Sequence, residues 1–313
     1  MNSSRTLPQL ADQKFLTDGG LETWLIFDEG IDIPHFASFA LIEDDAAVEA
    51  MKRYFRNHMD IARRHGAGFI LESPTWRASQ DWADLLDISA EKLKQMTSKA
   101  ISMMLELHDE APVDQPTIVV SGNIGPRGDG YSPDFHMTAE EAEVYHTAQI
   151  ETMVAAGADM IGALTMTYAA EAIGITRAAR KAGVPVSVSF TTETDGKLPD
   201  GMTLKEAIET VDAETGSAPA YYMINCAHPS HFDHALEHGE TWLERVRGIR
   251  ANASTMSHEE LDNSEELDSG DPVDLGNRYR DLGKVIPGLT IMGGCCGTDH
   301  KHVAAIAAAC MAA

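Results

Sequence analysis

Along the chain, short apolar runs of consecutive residues alternate with amphipathic stretches, and glycine or proline separates the two. Val48, Met51, Phe55 and Met59 recur at helical spacing, Gly66-Ala67-Gly68 breaks the pattern, and Phe69-Ile70-Leu71 begins a strand. The unit returns with a helix over 140–156 and a strand over 160–166, then a helix over 171–181 and a strand over 186–190. It returns again with 203–215 before Tyr221–Asn225, and with 274–285 before Leu289–Met292. Adding Phe15–Thr17, Thr117–Ser121 and Gly248–Ala251 gives eight strand candidates. Their apolar positions are continuous and not alternating, as expected of parallel strands covered on both faces.

Eight such units in 313 residues predict an α/β fold, a (β/α)8 TIM barrel with a closed parallel sheet, forming a single domain over residues 1–313. A doubly wound open sheet is the alternative. It would carry a glycine-rich phosphate turn after the first strand, but that strand ends in Asp18-Gly19-Gly20-Leu21-Glu22-Thr23, and no Walker-type motif occurs anywhere. One segment breaks the rhythm. The acidic stretch 257–274 is long for a connection and reads either as a solvated loop or as a lid over the barrel mouth.

Charge narrows the function. Lys and Arg number 24 against 49 Asp and Glu, a formal charge of −25. An acidic surface without a basic cluster repels phosphate backbones and anionic lipid, so neither nucleic acid nor membrane is an expected partner. The most apolar run, 303–313, is about half a bilayer span, and the first residues lack an export signal, so a cytoplasmic location is expected. Four cysteines in a reducing compartment read as thiols or metal ligands.

Three of the four stand at strand ends. Cys226 closes Tyr221–Asn225, and Cys295-Cys296 sit inside Gly293-Gly294-Cys295-Cys296-Gly297. A barrel gathers the C-terminal ends of its strands at one mouth, so the three thiols can share a site. Neighbouring residues on a regular strand point to opposite faces, and the flanking glycines are expected to supply the backbone freedom that turns both side chains to one centre. Three thiolates suit Zn²⁺ and leave the fourth tetrahedral position open, as in catalytic sites. Apolar packing of buried thiols and a vicinal disulfide are the competing readings. Cys310, in the Ala-rich terminal helix, is assigned no role.

Three thiolates make an electron-rich zinc, ill suited to generating hydroxide, which argues against a metallohydrolase. Such a centre is well suited to binding a substrate thiol and keeping it deprotonated yet nucleophilic. The chemistry implied is thiolate attack on an electrophilic alkyl group.

These residues resemble a known family. The 18–23 motif, Gly122-Asn123-Ile124-Gly125-Pro126, Asn225-Cys226 and Gly293-Gly294-Cys295-Cys296-Gly297-Thr298 are similar to signatures of the homocysteine S-methyltransferases, over about residues 15–306. The resemblance implies Cys226, Cys295 and Cys296 as zinc ligands, with the substrate thiol as the fourth. It also places Asp18 and the Gly19-Gly20 backbone beside the bound thiol, and Asn225 and Asn252 in the same pocket. A small-molecule thiol and a small onium-type methyl donor are the partners it implies. One position departs from the pattern. The family usually carries a Glu at the end of the fourth strand for the amino group of homocysteine, whereas Leu164 stands there in this chain. Glu72, after the second strand, and Glu193, after the fifth, are the candidates to take over that contact.

Lesser candidates have ordinary readings beside the functional ones. His228 is either a loop histidine bonded to backbone or a group near the metal. His231, His234 and His238 are expected on one face of a solvated helix. Trp76 either packs at the rim or meets a cationic methyl donor. The sequence thus supports a zinc-dependent S-methyltransferase, with a zinc-containing thiol-binding or sensing protein of the same fold as the alternative.

Overall fold

A computed structural model of the protein describes residues 7–11, 13–130, 136–264 and 266–311. Eight parallel strands close into a barrel in sequence order: β1 (Phe15–Leu16), β2 (Gly68–Glu72), β3 (Ile118–Ile124), β4 (Met160–Met166), β5 (Val186–Phe190), β6 (Tyr221–Asn225), β7 (Val246–Ala251) and β8 (Ile291–Gly294). Closure is made by β1 against β8, with Phe15 opposite Ile291 and Leu16 opposite Met292. The closed barrel is the architecture predicted from the sequence, and the open sheet is excluded. No helix among the described residues is long and apolar enough to cross a membrane.

Local signals set the helices around it. The helix Asp45–Arg64 starts where the Asp44 carboxylate accepts from the amides of Ala46 and Ala47, and it buries Met51, Phe55 and Met59. The helix Ala139–Ala156 opens with a reciprocal cap between Thr138 and Glu141 and closes on Gly157, whose φ of 109° suits a residue without Cβ. The same kind of cap, from Thr203 and Glu206, starts the helix Leu204–Thr215. The histidine helix does not form. Only one turn, Pro229–Phe232, precedes a 3₁₀ turn at Asp233–Ala235, so His231, His234 and His238 share no helical face. His231 is instead buried with Nε2 at 2.9 Å from the Thr255 carbonyl.

The barrel interior is layered. Phe15, Ile70, Val119, Met160, Tyr221, Met223 and Ile291 form an apolar cluster of their own, separate from the larger core between the sheet and the helices. Leu7 joins this floor, and Gln9 plugs it from below by donating to the Tyr221 hydroxyl at 3.3 Å. Because side chains alternate along a strand, two residues further up the same face lie Glu72 on β2, Ser121 on β3 and Gly162 on β4. A polar storey therefore rests on an apolar one, toward the C-terminal ends of the strands.

The glycines of β8 act differently from expectation. Gly293 and Gly294 continue the strand, and neither has the left-handed backbone expected to turn the cysteines; that conformation occurs only at Gly297, φ 76°. They are glycine because β8 is crowded there. A Cβ at Gly293 would lie 1.9 Å from Thr17 Oγ1, and one at Gly294 would lie 1.9 Å from Thr298 Oγ1. Gly293→Ala is therefore expected to push β1 away from β8 and to cost about 2–4 kcal/mol of stability. Equilibrium denaturation in urea measures it, and a loss below about 0.5 kcal/mol would contradict the close approach.

Candidate active site

A cavity of about 380 Å³ opens at the C-terminal mouth, and Cys226, Cys295 and Cys296 are among its lining residues. Their sulfur atoms all lie within 4.8 Å of one another. Cys226 and Cys295 are joined as a disulfide, with Cα atoms 5.4 Å apart, and Cys296 Sγ lies 3.9 Å from Cys226 Sγ, outside that bond. Three thiols are expected here from the sequence; the fold brings the three sulfurs together but in an oxidised arrangement, with the bond between strand ends and not between neighbours.

Several residues fix these cysteines. Cys226 takes up a left-handed backbone, φ 54°, which a residue with a Cβ adopts only when its surroundings impose it. Its amide donates to the Arg250 carbonyl at 3.0 Å, and its carbonyl accepts from Asn252 Nδ2 at 3.0 Å. His258 Nε2 stands 2.7 Å from the same carbonyl. The Cys295 carbonyl accepts from Thr298 through both amide and hydroxyl, and the turn closes on Gly297.

Asn225 holds a second strained point. Its Oδ1 accepts from the Thr165 amide at 2.8 Å and the Ser189 hydroxyl at 2.6 Å, while its Nδ2 donates to Thr165 Oγ1 at 2.8 Å. Thr165 has φ 63°, rare for a β-branched residue, and β4 shifts register against β5 between Ala163 and Met166. Asn225 thus faces the cavity with its amide already committed to shaping β4.

The electrostatic centre is Arg250, buried on β7. Its Nη2 pairs with Asp18 Oδ1 at 2.9 Å and donates to the Gly19 carbonyl at 3.2 Å. Its Nε donates to the Gly294 carbonyl at 3.0 Å, and Nη1 faces Glu72 Oε1 at 3.9 Å. Burial raises the Asp18 carboxyl to about 6, against the opposing pull of Arg250. Burial likewise raises Glu72 to about 7, with Arg250 and the neighbouring Ser121 hydroxyl offsetting part of the cost.

Of the residues expected at the site, Asp18, Gly19, Gly20, Glu72 and Asn225 line the cavity with the cysteines, and so does Leu164. Two do not. Glu193 follows β5 into a turn closed by Lys197 and reaches His258 Nδ1 at 3.2 Å, outside the cavity. Asn252 points at the Cys226 backbone and not at the space above it. The acidic stretch after β7 contributes Leu261, Ser264, Glu266, Leu267 and Asp268 to the cavity lining. Ser254 donates to Asp268 Oδ2 at 2.5 Å, and His302 Nε2 lies 2.7 Å from the Ser269 carbonyl, so the stretch is pinned at its far end. Trp76 lines the cavity and donates to the Leu164 carbonyl at 3.3 Å, while His228 bonds Ser230 as a helix cap. Arg250 and His258 belong to the site without being among the residues expected there from the sequence. An arginine inside the apolar run 248–251 is the signal for the first; nothing local marks the second.

A carboxyl raised above its unfolded-state value favours folding below the unfolded pKa and loses that advantage as pH rises through the folded one. The Glu72 contribution therefore declines from about pH 4.5 to about pH 7. Glu72→Gln should gain about 2 kcal/mol relative to the parent protein between pH 5 and pH 8, as measured by denaturation at the two pH values. A difference independent of pH would contradict the burial of this charge.

Comparison with known proteins agrees with the architecture. The family model described as homocysteine S-methyltransferase matches residues 15–310. The homocysteine S-methyltransferase of Escherichia coli strain K12 is 23% identical over 241 residues, covering 69% of this chain and 71% of that protein. The crystal structure of the Escherichia coli homocysteine methyltransferase MmuM in its oxidised form superposes with a TM-score of 0.75 at 21% identity, covering 95% of this chain and 96% of that one. Its metallated form gives 0.73 at 20% identity over the same shares. With a matching family model over nearly its whole length, a closed parallel barrel and three cysteines gathered at the mouth, the chain belongs to the homocysteine S-methyltransferase family and is a methyltransferase.

Proposed function

We propose that the protein is a zinc-dependent S-methyltransferase that moves a methyl group from a small onium donor to a thiol, homocysteine or a close relative. The observation that carries this reading is the convergence of Cys226, Cys295 and Cys296 within 4.8 Å at the wall of one cavity. The donor set fits the metal. Sulfurs at the corners of a tetrahedron around zinc lie about 3.8 Å apart, given Zn–S bonds of about 2.3 Å, and Cys226 and Cys296 stand 3.9 Å apart. Reduction of the Cys226–Cys295 disulfide frees the other two ligands.

Bound by these thiolates, zinc would hold an acceptor thiol deprotonated at neutral pH. The chain's own residues do the rest. Arg250, tied to the carbonyls of Gly19 and Gly294, holds the β1 and β8 ends in register around the bound acceptor. Asn252 and His258 keep the Cys226 backbone in its left-handed turn. The lid residues Leu261 and Leu267 exclude water from the transfer. In that transfer the acceptor sulfur forms a bond to the methyl carbon as the bond from that carbon to the onium atom breaks. The electron pair stays on the leaving atom, which becomes neutral, and placement in line supplies most of the catalysis.

The cavity also suits a cationic donor. Asp18, Glu22, Glu72, Asp129, Glu266 and Asp268 line it against two cations, Arg77 and Arg250, among the described residues. Phe27, Phe36 and Trp76 add aromatic faces that attract a methylated sulfonium or ammonium. The choice between S-methylmethionine-like and betaine-like donors belongs to the test.

Reduced, zinc-loaded protein should methylate homocysteine from S-methylmethionine or betaine, with the product identified by mass spectrometry. Cys296→Ala or chelation should lower the rate by more than about 100-fold and abolish stoichiometric zinc. Thermal stabilisation by thiols, with no product from any onium donor, would replace this reading with that of a thiol-binding protein.

A further inference from the structure

The inner storey of the barrel is built for a charge that the chain itself does not supply. Asp18 and Glu72 flank the single guanidinium of Arg250, and all three are at least 95% buried. Arg250 is spent mainly on Asp18 and on the carbonyls of Gly19 and Gly294, and its closest approach to Glu72 is 3.9 Å. Glu72 Oε2 is buried without a hydrogen-bond partner among the described residues. A carboxylate oxygen left this way in a buried site costs free energy that a donor of positive charge recovers.

The backbone makes room for the carboxylate itself. Gly162, two residues before Leu164 on β4, lies against the carboxylate, and a Cβ there would come within 3.0 Å of Glu72 Oε2. Leu164 offers the same cavity only an apolar surface. Glu72 belongs to the same connected group as the cysteine loop, because Arg250 bridges from the Gly294 carbonyl, next to Cys295, across to Glu72. A ligand anchored by sulfur at the cysteines and reaching inward meets this carboxylate. The onium centre of a methyl donor, sulfonium or quaternary ammonium, has no N–H to give it and is better matched by the aromatic faces of Phe27, Phe36 and Trp76; a primary ammonium, such as that of an acceptor anchored by its sulfur, has three.

We propose that Glu72 receives the ammonium group of the acceptor, so that the protein selects aminated thiols over their desamino analogues. This assignment rests on the thiol-methylating reading above, and it makes Glu72 a specificity-determining residue distinct from the metal ligands. The rise of the Glu72 carboxyl to about 7 accords with it, since a bound ammonium restores the ionised form that the cavity alone disfavours.

The test needs no turnover, so its failure is separable from failure of the methyltransferase reading. Binding of L-methionine and of 4-(methylthio)butanoate, the product of methylating a homocysteine-like thiol and its desamino analogue, is measured by calorimetry on the full chain. The parent protein should prefer the amino acid by about 10- to 100-fold, the range of a charge-assisted hydrogen bond in a buried site. Glu72→Gln should bring the two affinities within about threefold of each other while leaving that for the desamino compound unchanged. Gly162→Ala, which crowds the carboxylate without removing it, should also reduce the preference and provides a second readout if Glu72→Gln does not fold. Equal binding of both ligands by the parent protein, binding of neither, or a preference that survives either substitution would overturn the proposal.

Discussion

Arg250 reaches three strand ends from a fourth. From β7 its guanidinium pairs with Asp18 after β1, bonds the Gly19 and Gly294 carbonyls, and faces Glu72 at the end of β2. A buried cation is tolerated only where its surroundings repay the loss of water, and here two carboxylates and two carbonyls do so. The consequence is mechanical as well as electrostatic. The closing seam of the barrel, β1 against β8, is held at the level where the Cys295–Cys296 loop begins, while the neighbouring Cys226 turn is held by Asn252 and His258. Removing the guanidinium would leave Asp18 and Glu72 as two buried acids without a compensating cation beside them.

The site combines rigidity with local strain. Cys226 and Thr165 both have left-handed backbones, and each is pinned by side-chain amides, Asn252 for the first and Asn225 for the second. Strain of this kind persists where several hydrogen bonds over-determine one conformation. Here it aims the Cys226 sulfur toward the β8 loop and shifts the register of β4 against β5. The two asparagines shape the strand ends on which the reactive groups stand.

Much of this was legible in the chain itself. Continuous apolar runs separated by amphipathic stretches yield the eight strands and the closed barrel, because parallel strands covered on both faces leave that imprint. The three cysteines at strand ends gave the site, since a barrel leaves such ends nowhere else to go. What was not legible depends on contacts distant in sequence. Gly293 and Gly294 are small because Thr17 and Thr298 press on them, which no window around β8 shows. Glu193 turned away from the cavity because a tight turn with Lys197 redirects it toward His258. The three histidines after β6 share no face because the chain leaves the helix after one turn. The disulfide between Cys226 and Cys295 likewise follows from the spatial meeting of β6 and β8 ends, and spacing along the chain gives no sign of it.

The central claim is that three cysteine sulfurs share one zinc ion and leave a place for an incoming thiol. X-ray absorption at the zinc edge on reduced, zinc-loaded protein addresses it directly. The account predicts three sulfur neighbours at about 2.3 Å, rising to four when homocysteine is added. A shell of nitrogen and oxygen donors, or a sulfur count that does not change on adding the thiol, would contradict it.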